Sequence, residues 1–264
     1  MTPFSRQPES ASRSIWSALP AASWFFVAMA LLPSTARAQE RQASSTISSD
    51  RPGLGDGAYV LVPGEWQVEV GGTVESGASD SYLLGSSLMR MGLPSLELRL
   101  YLPNLVSFYQ DEPLRLGDLG FGAKVPLALG AGWRWSAEGV VTLPTGARAL
   151  SAGDPGVSAS MLAETDLGDG VVLALNAGYG FITSDAGAGT VSLLATPTFP
   201  IPGHEGLSAY AGYAAYLTSG DDAHYLEAGL ARLDGADRQW DANAGWDPDG
   251  HAWFVGVGVA QRWR

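Results

Sequence analysis

The sequence predicts an all-β protein: an antiparallel up-and-down transmembrane β-barrel of about twelve strands, with both termini on the periplasmic side. Three observations predict it. A two-residue alternation of apolar and polar side chains recurs in segment after segment. Each segment has about the ~10 residues that a tilted strand needs to cross a bilayer. The links alternate between tight turns and longer loops, as they do in outer-membrane barrels.

In chain order, residues 1–38 read as a cleaved secretory leader. Arg6 and Arg13 form a loose basic start, 23–32 (SWFFVAMALL) is a short apolar core, and Ala36-Arg37-Ala38 is a small-x-small cleavage site. An uncleaved anchor is the competing reading, but Pro20 and Pro33 interrupt the stretch, whose dense apolar part falls short of the ~20 residues a spanning helix needs. Residues 39–62 are polar, Gly-rich and without periodicity, a periplasmic lead-in of a length that allows it to enter the lumen as a plug. The barrel itself is expected over 63–264.

The segment 64–76 shows the pattern best. Trp66, Val68, Val70 and Val74 fall on one side, and Glu65, Gln67, Glu69, Thr73 and Glu75 on the other. Successive side chains of a strand point to opposite faces, so this ribbon has one apolar and one charged face. Eleven further segments follow at 81–92, 95–103, 115–129, 132–144, 154–167, 170–182, 189–199, 206–218, 222–233, 237–247 and 251–263. In the third, Leu96, Leu98, Leu100 and Leu102 oppose Glu97, Arg99 and Tyr101. In the fourth, Leu119, Phe121, Ala123, Val125 and Leu127 oppose Asp118 and Lys124. In the fifth, Trp133, Trp135, Ala137, Val141 and Leu143 oppose Arg134, Ser136, Glu138 and Thr142. Segments 81–92 and 189–199 alternate poorly, because Leu84, Leu88 and Leu194 interrupt the polar face.

Tight turns follow even-numbered segments (Gly92-Leu93-Pro94, Leu129-Gly130-Ala131-Gly132, Leu167-Gly168-Asp169-Gly170, Leu233-Asp234-Gly235-Ala236), whereas the longest links, 104–114 and 145–153, follow odd-numbered ones. Trp66, Trp133, Trp240, Trp246, Trp253 and Trp263 fall near segment ends, where an aromatic girdle meets the membrane interface. A soluble sandwich with its apolar face packed inside is the competing architecture, and Trp at strand ends is less expected there.

Composition narrows the function classes. Without the leader's Arg6, Arg13, Arg37 and Glu9, the chain keeps 12 basic and 26 acidic side chains, a formal charge of −14. Such a chain repels a phosphate backbone, so nucleic acid is not an expected partner. An exported chain with no Cys is held by something other than disulfides, and closed strand pairing suffices.

The most suggestive polar set lies on the lumen side of three consecutive segments: Glu97 and Arg99, Asp118 and Lys124, Arg134 and Glu138. Cross-strand neighbours on one face reach one another, so these residues can form a ladder of opposite charges. Two readings stand side by side, a constriction that selects permeants and a polar network that plugs a narrow barrel. Enzymatic activity is not expected. Outer-membrane lipid hydrolases place His and Ser two apart on one strand, but here Gly206, Leu226 and Trp253 follow His204, His224 and His251 at that spacing. No cofactor-binding Gly loop and no metal centre are expected. The acidic tips Asp221-Asp222 and Asp247-Pro248-Asp249-Gly250 read first as solvated turns and second as carboxylates for divalent ions that bridge lipopolysaccharide phosphates.

Several motifs in order resemble a known family: Ser49-Asp50-Arg51-Pro52, then Pro63-Gly64-Glu65-Trp66-Gln67-Val68-Glu69, Met89-Arg90-Met91-Gly92-Leu93, Leu96-Glu97-Leu98-Arg99-Leu100, Leu116-Gly117-Asp118-Leu119 with Gly122-Ala123-Lys124, Leu143-Pro144-Thr145-Gly146, Asp221-Asp222-Ala223-His224-Tyr225-Leu226-Glu227-Ala228-Gly229 and Trp253-Phe254-Val255-Gly256-Val257-Gly258. Over nearly all the chain after Ile47, this resembles the meta-pathway phenol-degradation family of bacterial outer-membrane barrels, commonly labelled transporters. The resemblance implies a single barrel in the outer membrane of a Gram-negative bacterium that passes small hydrophobic or aromatic solutes, and it brings no catalytic residues. The expected partners are outer-membrane lipid and lipopolysaccharide, the outer-membrane assembly machinery and those solutes. A plugged barrel that anchors or presents acidic loops is the alternative. One departure stands out: such barrels commonly end on an aromatic residue, and here Arg264 follows Trp263.

Overall fold

A computed structural model describes residues 44–264 except 77–80, 109–113, 131, 186–187, 220–221 and 250–251. The expected leader, the first residues of the lead-in, and Asp221, Gly250 and His251 lie outside the described residues.

The strands are β1 (Trp66–Ser76), β2 (Ser81–Gly92), β3 (Glu97–Leu102), β4 (Leu105–Phe108), β5 (Arg115–Leu116), β6 (Leu119–Leu127), β7 (Trp133–Leu143), β8 (Gly156–Gly168), β9 (Val171–Ile182), β10 (Thr190–Pro200), β11 (Leu207–Leu217), β12 (Ala223–Leu233), β13 (Arg238–Asp247) and β14 (Ala252–Trp263). All neighbours run antiparallel. β1 pairs with both β2 (Trp66 opposite Met91) and β14 (Trp66 opposite Trp263), which closes the sheet. β4 and β5 continue β3 and β6 beyond breaks at Pro103-Asn104 and Gly117-Asp118, so the wall has twelve strands, with one hairpin drawn out past the rim. Pro103 has no N–H to give to the ladder, which accounts for the first break.

One end of the barrel carries the tight turns and also receives the start of β1 and the end of β14; the other carries the longer links. At the β8–β9 turn, Gly168, Asp169 and Gly170 all take positive φ (100°, 53° and 76°), which glycine tolerates and Asp tolerates better than most residues.

The two faces separate as the alternation requires. Val70, Val74, Leu98, Phe121, Leu193, Leu226, Val255 and Val257 are exposed on the outside, whereas Gln67, Glu69, Arg90, Glu97, Arg99, Lys124 and Glu138 are buried inside. Trp66 stacks on Trp263 with ring centroids 4.7 Å apart at the short-turn end, where Trp133 and Trp240 also stand; Trp246 faces Trp253 at the other end. Trp253 and Trp263 are ten residues apart on β14. At ~3.3 Å per residue and the usual ~40° tilt, that separates the two aromatic bands by about the 25 Å of an apolar membrane belt.

The poorly alternating segments have local causes. Two residues of β2 answer one step of β1: Gly71 faces Ser86, Gly72 faces Leu84, and Gly85 (φ 69°) is the extra residue. The bulge inverts the parity, so Leu84 points outward while Leu88, opposite Glu69, points inward. In β10, Leu194 opposes Asn176 on the inner face and is buried there.

Candidate functional site: the lumen and its inserted strap

Leu194 is buried because something packs on it. Residues 44–62 do not stand outside the barrel. They enter at the short-turn end, where the Ile47 N–H donates to the Ala236 carbonyl (2.7 Å), reach mid-barrel near 51–56, and return to the start of β1. A strap without regular structure has to satisfy its backbone polar groups some other way, and wall side chains do this. Glu69 accepts from the N–H groups of Asp50 and Arg51, Glu227 from Leu54, Asn176 from Asp56 and Glu97 from Leu61. Gln67 and Arg90 donate to the Ser48 carbonyl, Gln239 to that of Arg51, Asn176 to that of Asp56, Lys124 to that of Gly57 and Arg90 to that of Tyr59.

The strongest hold is electrostatic. Cross-strand register sets Glu97 opposite Lys124 and Lys124 opposite Glu138, which is the alternation the ladder requires. Beside that row, however, Arg90 lies directly opposite Arg99, a like-charge pair that is unfavourable by itself. Asp50 of the strap resolves it. One carboxylate oxygen lies 2.6 Å from Arg99 Nη1, 3.1 Å from Lys124 Nζ and 3.5 Å from Arg90 Nη1. Arg90 also pairs with Glu97 (2.7 Å) and Glu69 (3.0 Å), and Arg99 with Glu138 (3.3 Å). The side chains of Arg90, Arg99 and Lys124 are 0% exposed. Burial by itself would raise the Asp50 pKa, but Arg90, Lys124 and Arg99 outweigh it and hold the carboxyl well below its ordinary range.

Arg51, the next residue, reaches the far wall. Its guanidinium donates to Asp241 and to the Val257 carbonyl (both 3.2 Å) and lies over Gly71 and Gly258, themselves cross-strand partners. A Cβ on either glycine would collide with it. At the rim, Arg264 donates to Asp237 (2.8 Å) and to the Ser45 carbonyl (3.0 Å), and Arg262 to the Ser44 carbonyl (3.2 Å). The departure at the C-terminus thus has a local role: it ties down the strap where it enters.

Of the six lumen residues singled out from sequence, Glu97, Arg99, Lys124 and Glu138 converge around Asp50, while the other two stand apart. Asp118 lies further toward the long-loop end and accepts from the Gly146 N–H (2.8 Å). Arg134 sits near the short-turn rim, half-exposed, paired with Glu164 (2.9 Å) and over the Tyr59 ring. Sequence reasoning missed Asp50 and Arg90. Asp50 stood in the Ser49–Pro52 motif with no periodicity to place it, and the Gly85 bulge hid the face to which Arg90 belongs.

The strap fills much of the short-turn half of the lumen. Beside it, toward β8–β13, remains a cavity of about 160 Å³, and the long-loop half opens into a cavity of about 370 Å³ bordered by Asp56, Tyr101, Asp118 and Glu138.

The family model described as "Putative MetA-pathway of phenol degradation" matches residues 49–263, and the chain belongs to that family. Among solved structures, the chain is similar to an outer membrane channel from Pseudomonas putida F1, with a TM-score of 0.60 and 15% identity over 81% of this chain and 99% of that one. It is also similar to the NanC porin (TM-score 0.54, 10% identity, 74% and 98% covered) and to the KdgM porin in complex with disordered oligogalacturonate (0.52, 10%, 75% and 99%). At such identities the likeness is one of fold. Comparison with curated protein sequences gave no significant match.

Proposed function

From a porin-like barrel of this family, we propose a channel of the Gram-negative outer membrane that passes small hydrophobic or aromatic compounds, with residues 44–62 as a resident strap that regulates the opening. The observation that carries the reading is the strap itself, bonded by side chains of β1, β2, β3, β6, β9, β12 and β13 and leaving a gap of about 160 Å³ beside it. The strap's side-chain bonds to seven strands lie across the short-turn half of the lumen, so in this reading a solute passes when the strap shifts. Both ends of the strap lie at the short-turn end, here taken as periplasmic, and it can withdraw to that side without unthreading. In the same reading, residues 1–38 are a cleaved leader, the outer wall faces lipid and lipopolysaccharide, the assembly machinery recognises the strand ending in Trp263, and the barrel has no enzymatic role.

The test is uptake of a radiolabelled monoaromatic compound by cells with an intact lipopolysaccharide leaflet. Uptake rises with the protein present and rises further with Asp50→Asn, which loosens the strap; equal uptake with and without the protein contradicts the reading. The number of wall side chains bonded to the strap favours a second one, a permanently closed barrel that serves as an anchor, and that reading predicts the unchanged uptake.

A further inference from the structure

Three cavities lie in series along the lumen. One of about 290 Å³ at the long-loop end is bordered by Thr142, Ser158, Ile182 and Thr190. It shares Thr142 and Ser158 with the cavity of about 370 Å³, which Asp56 and Asp118 border. Asp56 also borders the gap of about 160 Å³ beside the strap, whose other walls include Glu164, Thr196, Thr198 and Ser208. Thr198 and Ser208 stand at the short-turn ends of β10 and β11. Shared lining residues therefore set three polar cavities end to end beside the seated strap.

Charge along this path is partitioned. The wall cations Arg90, Arg99 and Lys124 are wholly covered, and the strap's own Arg51 is paired with Asp241. Asp50 is neutralised among three cations, Glu138 lies against Arg99 and Lys124, and Glu164 is paired with Arg134. Asp56 and Asp118 are what the path is left with. Asp56 keeps 36% of its side chain exposed and has only the outer guanidinium nitrogen of Arg99 at 3.5 Å, while Asp118 takes a neutral backbone N–H.

We propose that the seated strap makes the barrel selective for small cations over anions, with Asp56 and Asp118 as the residues that set the preference. The strap does this by covering Arg90, Arg99 and Lys124 while bringing Asp56 into the path. A narrow polar passage with low-dielectric walls focuses the field of such charges, so a cation is concentrated, while the cations an anion could reach, Arg51 and Arg134, are already paired with Asp241 and Glu164. Ion passage along the seated strap is separate from solute passage past a displaced one, so failure of either idea leaves the other standing.

The experiment is the reversal potential of the refolded protein in a planar bilayer under a KCl gradient. The expected result is a K⁺ over Cl⁻ preference of about tenfold. Asp56→Asn with Asp118→Asn, which leaves the buried cations and their partners in place, brings that preference close to unity. Asp50→Asn, which uncovers the cations, moves it toward Cl⁻. A wild-type reversal potential at or beyond zero in the anion direction overturns the proposal, as do a double variant with wild-type selectivity and an inserted protein that passes no current.

Discussion

Asp50 is the residue on which the narrowed lumen turns. It faces three buried cations, two of them directly opposite each other, so neutralising it leaves positive charge uncompensated where water is scarce. Removing one partner of a buried ion pair costs about 3–5 kcal/mol. Asp50→Asn is therefore expected to speed hydrogen exchange of the strap amides at 50–57 by between about a hundredfold and several thousandfold, since ~1.4 kcal/mol is a factor of ten. Gly258→Leu acts at a different point: its side chain occupies the place of the Arg51 guanidinium, so exchange rises at 51–54 while the Asp50 contacts persist. Asp56 supplies a pH dependence. Its partial burial and the neighbouring Glu138 and Asp50 carboxylates push its pKa up to about 7, against the pull of Arg99 and Lys124. A carboxyl raised in the seated state favours seating while it is protonated, and that contribution is lost as pH rises through about 7. For the same reason, K⁺ preference measured by reversal potential falls between about pH 8 and about pH 6, as Asp56 takes up its proton.

At the level of elements, the strands were legible almost to the residue. Lipid on one face and a polar lumen on the other impose a period of two that nothing in these segments overrides, as β7 shows, with Trp133, Trp135 and Val141 outward and Arg134, Ser136 and Glu138 inward. The exceptions were β4, which forms within 104–114 where a link was expected, and β2, where one extra residue at Gly85 inverts the faces; alternation cannot reveal its own reversal without the partner strand. Deleting Gly85 would turn residues 81–84 over and carry Leu84 into the lumen, and the expected result is loss of the SDS-resistant folded band on unboiled gels. The strap was illegible for a different reason. Its bonds run to side chains from Glu65 to Arg264, and such remote partners leave no local pattern in 44–62 beyond the absence of periodicity. Half of the charge ladder was foreseen because Glu97, Lys124 and Glu138 are true cross-strand neighbours; its counter-ion Asp50 comes from outside the sheet. The closing seam makes one more prediction. Trp263→Ala removes the stack on Trp66, worth about 1 kcal/mol beyond its buried area, and lowers the urea midpoint of the refolded barrel. Arg264→Ala leaves that midpoint nearly unchanged and frees the strap at Ser45.

For the molecule as a whole, the barrel and the strap divide the work. The closed sheet satisfies every strand in the membrane and presents apolar side chains to lipid, so the lumen is free to carry charge. The strap uses that charge to hold itself across the short-turn half. Such an arrangement is stable when every buried cation has its partner and yields when one partner is removed. Single-channel conductance of wild type against Asp50→Asn in one planar bilayer tests this most directly. Small, steady unitary currents in wild type, with larger and fluctuating ones in Asp50→Asn, are the predicted result; identical unitary currents in the two proteins would contradict the claim that the strap narrows the lumen.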